Sequence, residues 1–213
     1  MVSRSLVVAS AARRASTQGG RSRAAWQVTR PPPPLLQVLA RALGGAVGRN
    51  PSGRFVVGAE RLELTRSLAQ RRDFALARAI CPMVEARPDP ARYRGPGLHL
   101  LASHADCVLR LPEGADLLAT SPGAAVELWA LGRDVLAQQS HPELTPALLE
   151  ALILPGLLKS GKISPQDAAA TAEGIKRPLD NQLMLAMGRF FLHGEEGAEC
   201  LALKRLQRQR LMH

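Results

Sequence analysis

The segment Gly156-Leu157-Leu158-Lys159-Ser160-Gly161-Lys162-Ile163 spells most of a phosphate-binding loop. In such a loop a lysine and the hydroxyl directly after it hold a nucleotide's phosphates and magnesium. Here Ile163 follows Lys162, and Ser164 comes one position late, where its hydroxyl suits a helix cap. No downstream apolar strand ending in aspartate offers a second magnesium ligand. The segment reads as one helix ending at Gly161 and the next starting at Ser164. A second group, His99, His104, Asp106 and Cys107, has metal-ligand residue types. A metal site needs three or four ligands converging on one point. On a helix only His104 and Cys107 would share a face, and no second cluster completes the set. His141 precedes Pro142 and reads as a loop residue, His193 precedes Gly194 at a helix end, and His213 is terminal. No nucleophile elbow, zincin helix or dinucleotide fingerprint is present. The carboxylates are scattered, and Asn50-Pro51-Ser52 is closed to glycosylation by its proline. These observations predict no enzyme, no cofactor and no metal.

Charge distribution points elsewhere. Nine arginines, Arg4, Arg13, Arg14, Arg21, Arg23, Arg30, Arg41, Arg49 and Arg54, precede the first acid, Glu60. After Glu199 come Lys204, Arg205, Arg208 and Arg210 with no acid, so a chain of net charge +10 has a slightly acidic middle and two basic ends. The opening residues are rich in Arg, Ala and Ser and carry a short apolar patch at Leu6, Val7 and Val8. That composition predicts a mitochondrial transit segment. Pro31–Pro34 is a stiff spacer. The three cysteines, Cys81, Cys107 and Cys200, are widely spaced and read as reduced thiols in a non-secretory compartment.

The elements that must position these residues read as helices. Aromatics make up 3% of a chain that is 46% hydrophobic, which favours helices packed through small and aliphatic side chains. Residues 35–47 and 60–81 have helical periodicity, Leu144–Leu158 reads as a buried core helix, and 98–111 fits either a helix or two short strands. Ser121–Pro122, Thr145–Pro146 and Ser164–Pro165 each place a capping hydroxyl before a proline, the signature of a helix start. A further helix opens near Pro178 and runs through Leu183, Met187 and Phe191. The expected fold is all-α, a small stack of helical hairpins with extended basic termini. The expected divisions are an arm at 1–34, a helical body at 35–199 and a basic tail at 200–213.

Ser164-Pro165-Gln166-Asp167-Ala168-Ala169-Ala170-Thr171-Ala172 resembles the opening of repeats in organellar helical-repeat RNA-binding proteins, the octotricopeptide, heptatricopeptide and FASTK/RAP types. Glu127-Leu128-Trp129-Ala130-Leu131-Gly132-Arg133 looks like the second half of the same pattern, and the resemblance covers about residues 120–193. It implies a role with organellar RNA. Together with the basic ends, it leads to the expectation of a non-catalytic component of a mitochondrial ribonucleoprotein, a mitoribosomal protein. Its thirteen terminal cations, Arg4 to Arg54 and Lys204 to Arg210 as named above, would neutralise rRNA phosphates, while the body packs on neighbouring proteins. The alternative is an accessory subunit of a respiratory or ATP synthase complex.

Overall fold

The structure is a computed structural model, and it describes residues 7–9, 35–84 and 96–194. Its centre is a six-stranded sheet in the order β1-β8-β7-β6-β3-β4, every neighbouring pair antiparallel. The strands are β1 (Val7–Ala9), β3 (Val56–Leu64), β4 (Gly97–His104), β6 (Asp116–Thr120), β7 (Leu128–Leu131) and β8 (Val135–Gln138). A two-stranded ribbon joins β2 (Ala46–Arg49) to β5 (Asp106–Arg110). The helices are α1 (Leu35–Ala42), α2 (Arg66–Ala69), α3 (Arg72–Ile80), α4 (Pro146–Leu148), α5 (Leu154–Lys159), α6 (Pro165–Gly174) and α7 (Asn181–His193), with a π-helical turn, Leu149–Ile153, between α4 and α5.

The all-α expectation is therefore wrong, and the reason lies in burial. Along β7, Leu128 and Ala130 enter one apolar cluster while Trp129 and Leu131 enter another. In β8, Leu136 joins the first and Val135 and Ala137 the second. The sheet is apolar on both faces. Strands β7 and β8 then read as near-continuous apolar runs, without the polar–apolar alternation that marks a half-exposed strand. Leu128-Trp129-Ala130-Leu131, taken as the second half of a helical repeat, is a strand, and no helix follows Ser121–Pro122. Ser121 Oγ is engaged by the backbone amides of Gly123 and Ala124 instead. The likeness to helical-repeat RNA-binding proteins fails with it, because half of the pattern lies in the sheet.

Other segments divide similarly. The 60–81 stretch is the end of β3 followed by α2 and α3, and 98–111 is the strand pair β4–β5. Residues 46 and 47, the end of the expected helix 35–47, open β2 instead. Within Leu144–Leu158, Leu149, Leu154 and Leu157 are buried but Leu148, Leu152 and Leu158 are exposed. The Thr145 and Ser164 starts match the structure: each hydroxyl accepts from a first-turn amide, and Ser164 with Asp167 forms a reciprocal capping box. Gly161, at φ +64, separates α5 from α6, so the phosphate-loop look-alike is a helix–helix turn. Helix α7 starts later than Pro178 predicts, with Asp180 at its N-cap position.

Packing fixes these layers. Leu183, Met184, Met187 and Phe190 of α7 press with Phe74 of α3 on Leu62, Leu98, Leu118, Leu128 and Leu136. Each such side chain contributes roughly 1.5–3 kcal/mol on burial. On the other cluster, Leu36 and Ala40 of α1 cover Trp129, Val108 and Ala137. A third cluster seats the π-helical turn, α5 and α6 over Leu101. There Gly58, at φ +115, lets α6 close on β3: a Cβ would sit 3.1 Å from the Thr171 methyl. Thr171 Oγ1 donates to the Val57 carbonyl at 3.3 Å beside it. Among the described residues no helix is long and apolar enough to cross a membrane.

Candidate functional site

Strand β8 runs directly into Gln139-Ser140-His141-Pro142-Glu143. Backbone bonds carry this segment on past the strand. The Gln139 amide donates to the Glu127 carbonyl at 2.7 Å, and the His141 amide donates to the Leu101 carbonyl of β4 at 2.7 Å. The chain then turns: the Leu144 amide donates to the His141 carbonyl at 3.1 Å, and Asn181 Nδ2 of α7 donates to the Leu144 carbonyl at 2.7 Å. Thr145 caps α4 immediately afterwards. The turn is tied to β4, β7 and α7 at once, and this places His141 inside the molecule, 1% exposed.

His141 Nδ1–H donates to Glu143 Oε1 at 2.8 Å. The Glu143 side chain is 37% exposed, so the carboxylate keeps contact with water while its partner does not. An imidazole whose Nδ1–H is held by a carboxylate is fixed in one tautomer, with Nε2 as the basic nitrogen. This is the arrangement of a general base with an orienting carboxylate.

His104, at the end of β4, lies within electrostatic range of His141. It is 4% exposed, and neither ring nitrogen makes a hydrogen bond of acceptable geometry. Its pKa is pushed down to about 4, first by burial and then by the charge on His141; the Asp106 backbone and carboxylate pull weakly the other way. The Asp106 carbonyl accepts from Gln37 Nε2 of α1 at 2.8 Å, and its carboxylate lies 3.6 Å from Arg49.

Immediately before β7 begins at Leu128, a second carboxyl is buried. Glu127 is fully buried, and its Oε1 accepts from Ser121 Oγ at 2.7 Å. Burial raises its pKa to about 7, with help from Glu60, against the opposing pull of Ser121 and Ser140. Oε2 has no bonded partner; Ser140 is near enough to act electrostatically without meeting hydrogen-bond geometry. Glu60 Oε2 in turn accepts from the Gly123 amide at 3.1 Å. Both Gln139 side-chain polar atoms and Trp129 Nε1 are also buried without partners.

The residues singled out from sequence fall differently. His99, His104, Asp106 and Cys107 are strung along β4 and β5, and among the described residues no three metal-ligating side chains converge. The His99 amide donates to Asp180 Oδ2 at 2.7 Å, so that region holds the start of α7. The Cys107 thiol is pushed up by burial, Asp106 and Glu127, the reverse of an activated thiolate. Cys81 lines a shallow pocket with Asp180 and Leu183. Among the proposed phosphate-binding arginines, Arg41 is exposed at the end of α1, Arg49 faces Asp106, and Arg54 Nη2 donates to Asp167 Oδ1 at 3.0 Å. Arg4, Arg13, Arg14, Arg21, Arg23, Arg30, Lys204, Arg205, Arg208 and Arg210 lie outside the described residues. His141 and Glu143 are the pair that sequence reasoning missed. Their one signal is an imidazole and a carboxylate two residues apart across a proline, directly after an apolar run.

No family model matches the chain. A curated relative, gamma-glutamyl peptidase 3 of Arabidopsis thaliana, is 31% identical over 117 residues, which make up 55% of this chain and 41% of that protein. The chain thus spans less than half the length of the curated relative it matches. Among solved structures, a glutamine amidotransferase from Thermotoga maritima is 23% identical with a TM-score of 0.48, covering 72% of this chain and 59% of that one. A glutamine amidotransferase from Methylobacillus flagellatus is 21% identical with a TM-score of 0.46, covering 73% and 55%. These proteins are enzymes by name, and none is an RNA-binding helical repeat. The relative overturns the expectation of a non-catalytic mitoribosomal component and, with it, the absence of an enzymatic role and the rRNA partner. It gives no support to an accessory subunit of a respiratory or ATP synthase complex.

Proposed function

We propose that this chain takes part in the hydrolysis of γ-glutamyl amide bonds, with His141 as the base and Glu143 as its orienting carboxylate. The observation that carries the reading is the 2.8 Å bond from His141 Nδ1 to Glu143 Oε1 on a ring that is 1% exposed. The carboxylate stabilises the imidazolium that forms when Nε2 takes a proton from a water molecule attacking the γ-carbonyl; that proton then passes to the departing amine as the C–N bond breaks. The substrate class comes from the curated relative, a γ-glutamyl peptidase. Cys107 does not supply a thiolate nucleophile, because burial, Asp106 and Glu127 push its thiol up.

The test is release of glutamate by the full-length chain from a γ-glutamyl dipeptide, from γ-glutamyl-p-nitroanilide and from glutamine, itself a γ-amide of glutamate. Turnover is expected, with His141→Ala lowering kcat/KM by roughly 10²–10⁴-fold. No glutamate release from any of the three, or equal rates with His141→Ala, overturns the reading.

Mitochondrial import, drawn from the arginine-rich opening residues, stands as a separate proposal, checked by the location of the tagged full chain in cells. The division at 34/35 and 199/200 is likewise a proposal, checked by limited proteolysis with mass spectrometry.

A further inference from the structure

Between β6 and β7 the chain is held by two carboxyl groups. Ser121 Oγ accepts from the Gly123 and Ala124 amides at 3.0 Å each and donates to Glu127 Oε1 at 2.7 Å. The Gly123 amide also donates to Glu60 Oε2 of β3 at 3.1 Å, and the Gly123 carbonyl accepts from Asn50 Nδ2. Glu127 and Glu60 are joined in this way through one serine and one glycine. The glycine fits closely: a Cβ on Gly123 would lie 2.8 Å from Val56 Cγ1 and 3.0 Å from Glu60 Oε2. Pro122 and Ala125 are exposed, so the loop separates Glu127 from solvent. On the protein side, the Gln139 amide donates to the Glu127 carbonyl and continues the β7–β8 register, which sets the two residues opposite each other. Glu127 Oε2 and both polar atoms of the Gln139 side chain are buried without a protein partner. Unmatched polar groups of this kind favour any movement that lets water reach them.

We propose that residues 121–125 are a latch, closed over Glu127 and Gln139 while Glu127 holds a proton and released when Glu127 ionises. The titratable groups that face Glu127 are Glu60 on β3 and the Cys107 thiol on β5, and neither brings a positive charge. An ionised Glu127 under the closed loop is a second negative charge facing Glu60, with the Ser121 hydroxyl as its bonded partner. Lifting the loop hydrates Glu127 at the cost of the Gly123 and Ala124 bonds. Burial, with help from Glu60, raises the Glu127 pKa from 4.5 to about 7, so closure is favoured in full below about pH 4.5 and weakens as pH rises through about 7. Gln139 stands two residues before His141, so the latch borders the turn that carries the imidazole, but its operation involves no substrate.

The test is hydrogen exchange at the Gly123 and Ala124 amides of the full-length chain, read by NMR and corrected for the intrinsic pH dependence of exchange. It needs no turnover and so stands apart from the substrate assay. Both amides are expected to be at least about tenfold less protected than those of β7 and β8, the mark of local opening. Between about pH 5.5 and about pH 8.5 the open population is expected to rise on the order of tenfold or more in the wild type, and by less than about twofold in Glu127→Gln. Protection at Gly123 equal to that of the sheet, no rise in the wild type, or the same rise in Glu127→Gln overturns the latch. Gly123→Ala gives a second arm. Its Cβ has no room under the closed loop, so weak protection at Ala124 is expected at both pH values. Wild-type protection there at the lower pH overturns the close fit on which the latch depends.

Discussion

Two carboxyl groups on adjoining turns of the sheet have opposite surroundings. Glu143 is partly exposed, bonds an imidazole and keeps its charge in contact with solvent. Glu127 is sealed in, bonds a hydroxyl, faces a second carboxylate in Glu60 and is driven toward its neutral form. The difference teaches that placement alone, without any change of residue type, assigns one glutamate to orienting a base and the other to holding a proton within the structure. The first is suited to chemistry and contributes little to stability; the second ties stability to pH.

The sharpest way to break that contrast is Glu143→Gln. The amide can still bond the ring but cannot balance an imidazolium, so kcat/KM is expected to fall on the order of 10³-fold. Thermal unfolding should move little, since the pair is partly solvated. A large loss of stability with unchanged kinetics would reverse the two roles. Next is Glu127→Gln. A folded-state pKa raised above the unfolded value means that the stabilisation is fully present below about pH 4.5 and is lost as pH rises through about 7. Denaturant unfolding at pH 5 and pH 8 should show the wild type losing on the order of 3 kcal/mol more than Glu127→Gln. Equal slopes would place the Glu127 carboxyl in contact with water.

Asp180 sharpens the comparison with a third environment, a buried carboxylate satisfied by backbone. Its oxygens accept from the Val84 amide at 2.8 Å and the His99 amide at 2.7 Å. Asp180→Ala leaves both donors unmatched, and a loss of about 2 kcal/mol is expected in urea unfolding. The smallest effect belongs to a carboxylate at the surface: Ser164→Ala breaks the capping box with Asp167 and should cost about 1 kcal/mol by the same measurement. A loss at Ser164 exceeding that at Asp180 would mean that burial does not rank these groups.

Local signals were legible wherever the cause was local. The Thr145 and Ser164 caps, the break at Gly161 and the end of α7 at Gly194 follow from residues within one turn of each other. The same hydroxyl–proline signature misled at Ser121–Pro122, because the Ser121 hydroxyl is claimed by Glu127, Gly123 and Ala124. The candidate site was illegible for a related reason. His141 reads as a loop histidine until the Leu101 carbonyl and Asn181 draw its turn inward, and both lie some forty residues away.

By itself, then, the sequence determined the caps at Thr145 and Ser164, the helix-breaking glycines, the basic ends and a supply of apolar residues large enough for a core. Tertiary structure decided that Leu128–Leu131 and Val135–Gln138 are strands, that the two apolar faces of the sheet need helices on both sides, and that His141 meets Glu143 out of water. The physical reason is range. A helix satisfies its backbone within four residues, so its ends can be read in place. A strand satisfies its backbone through partners far along the chain, and a sheet covered on both faces erases the alternation that would announce it.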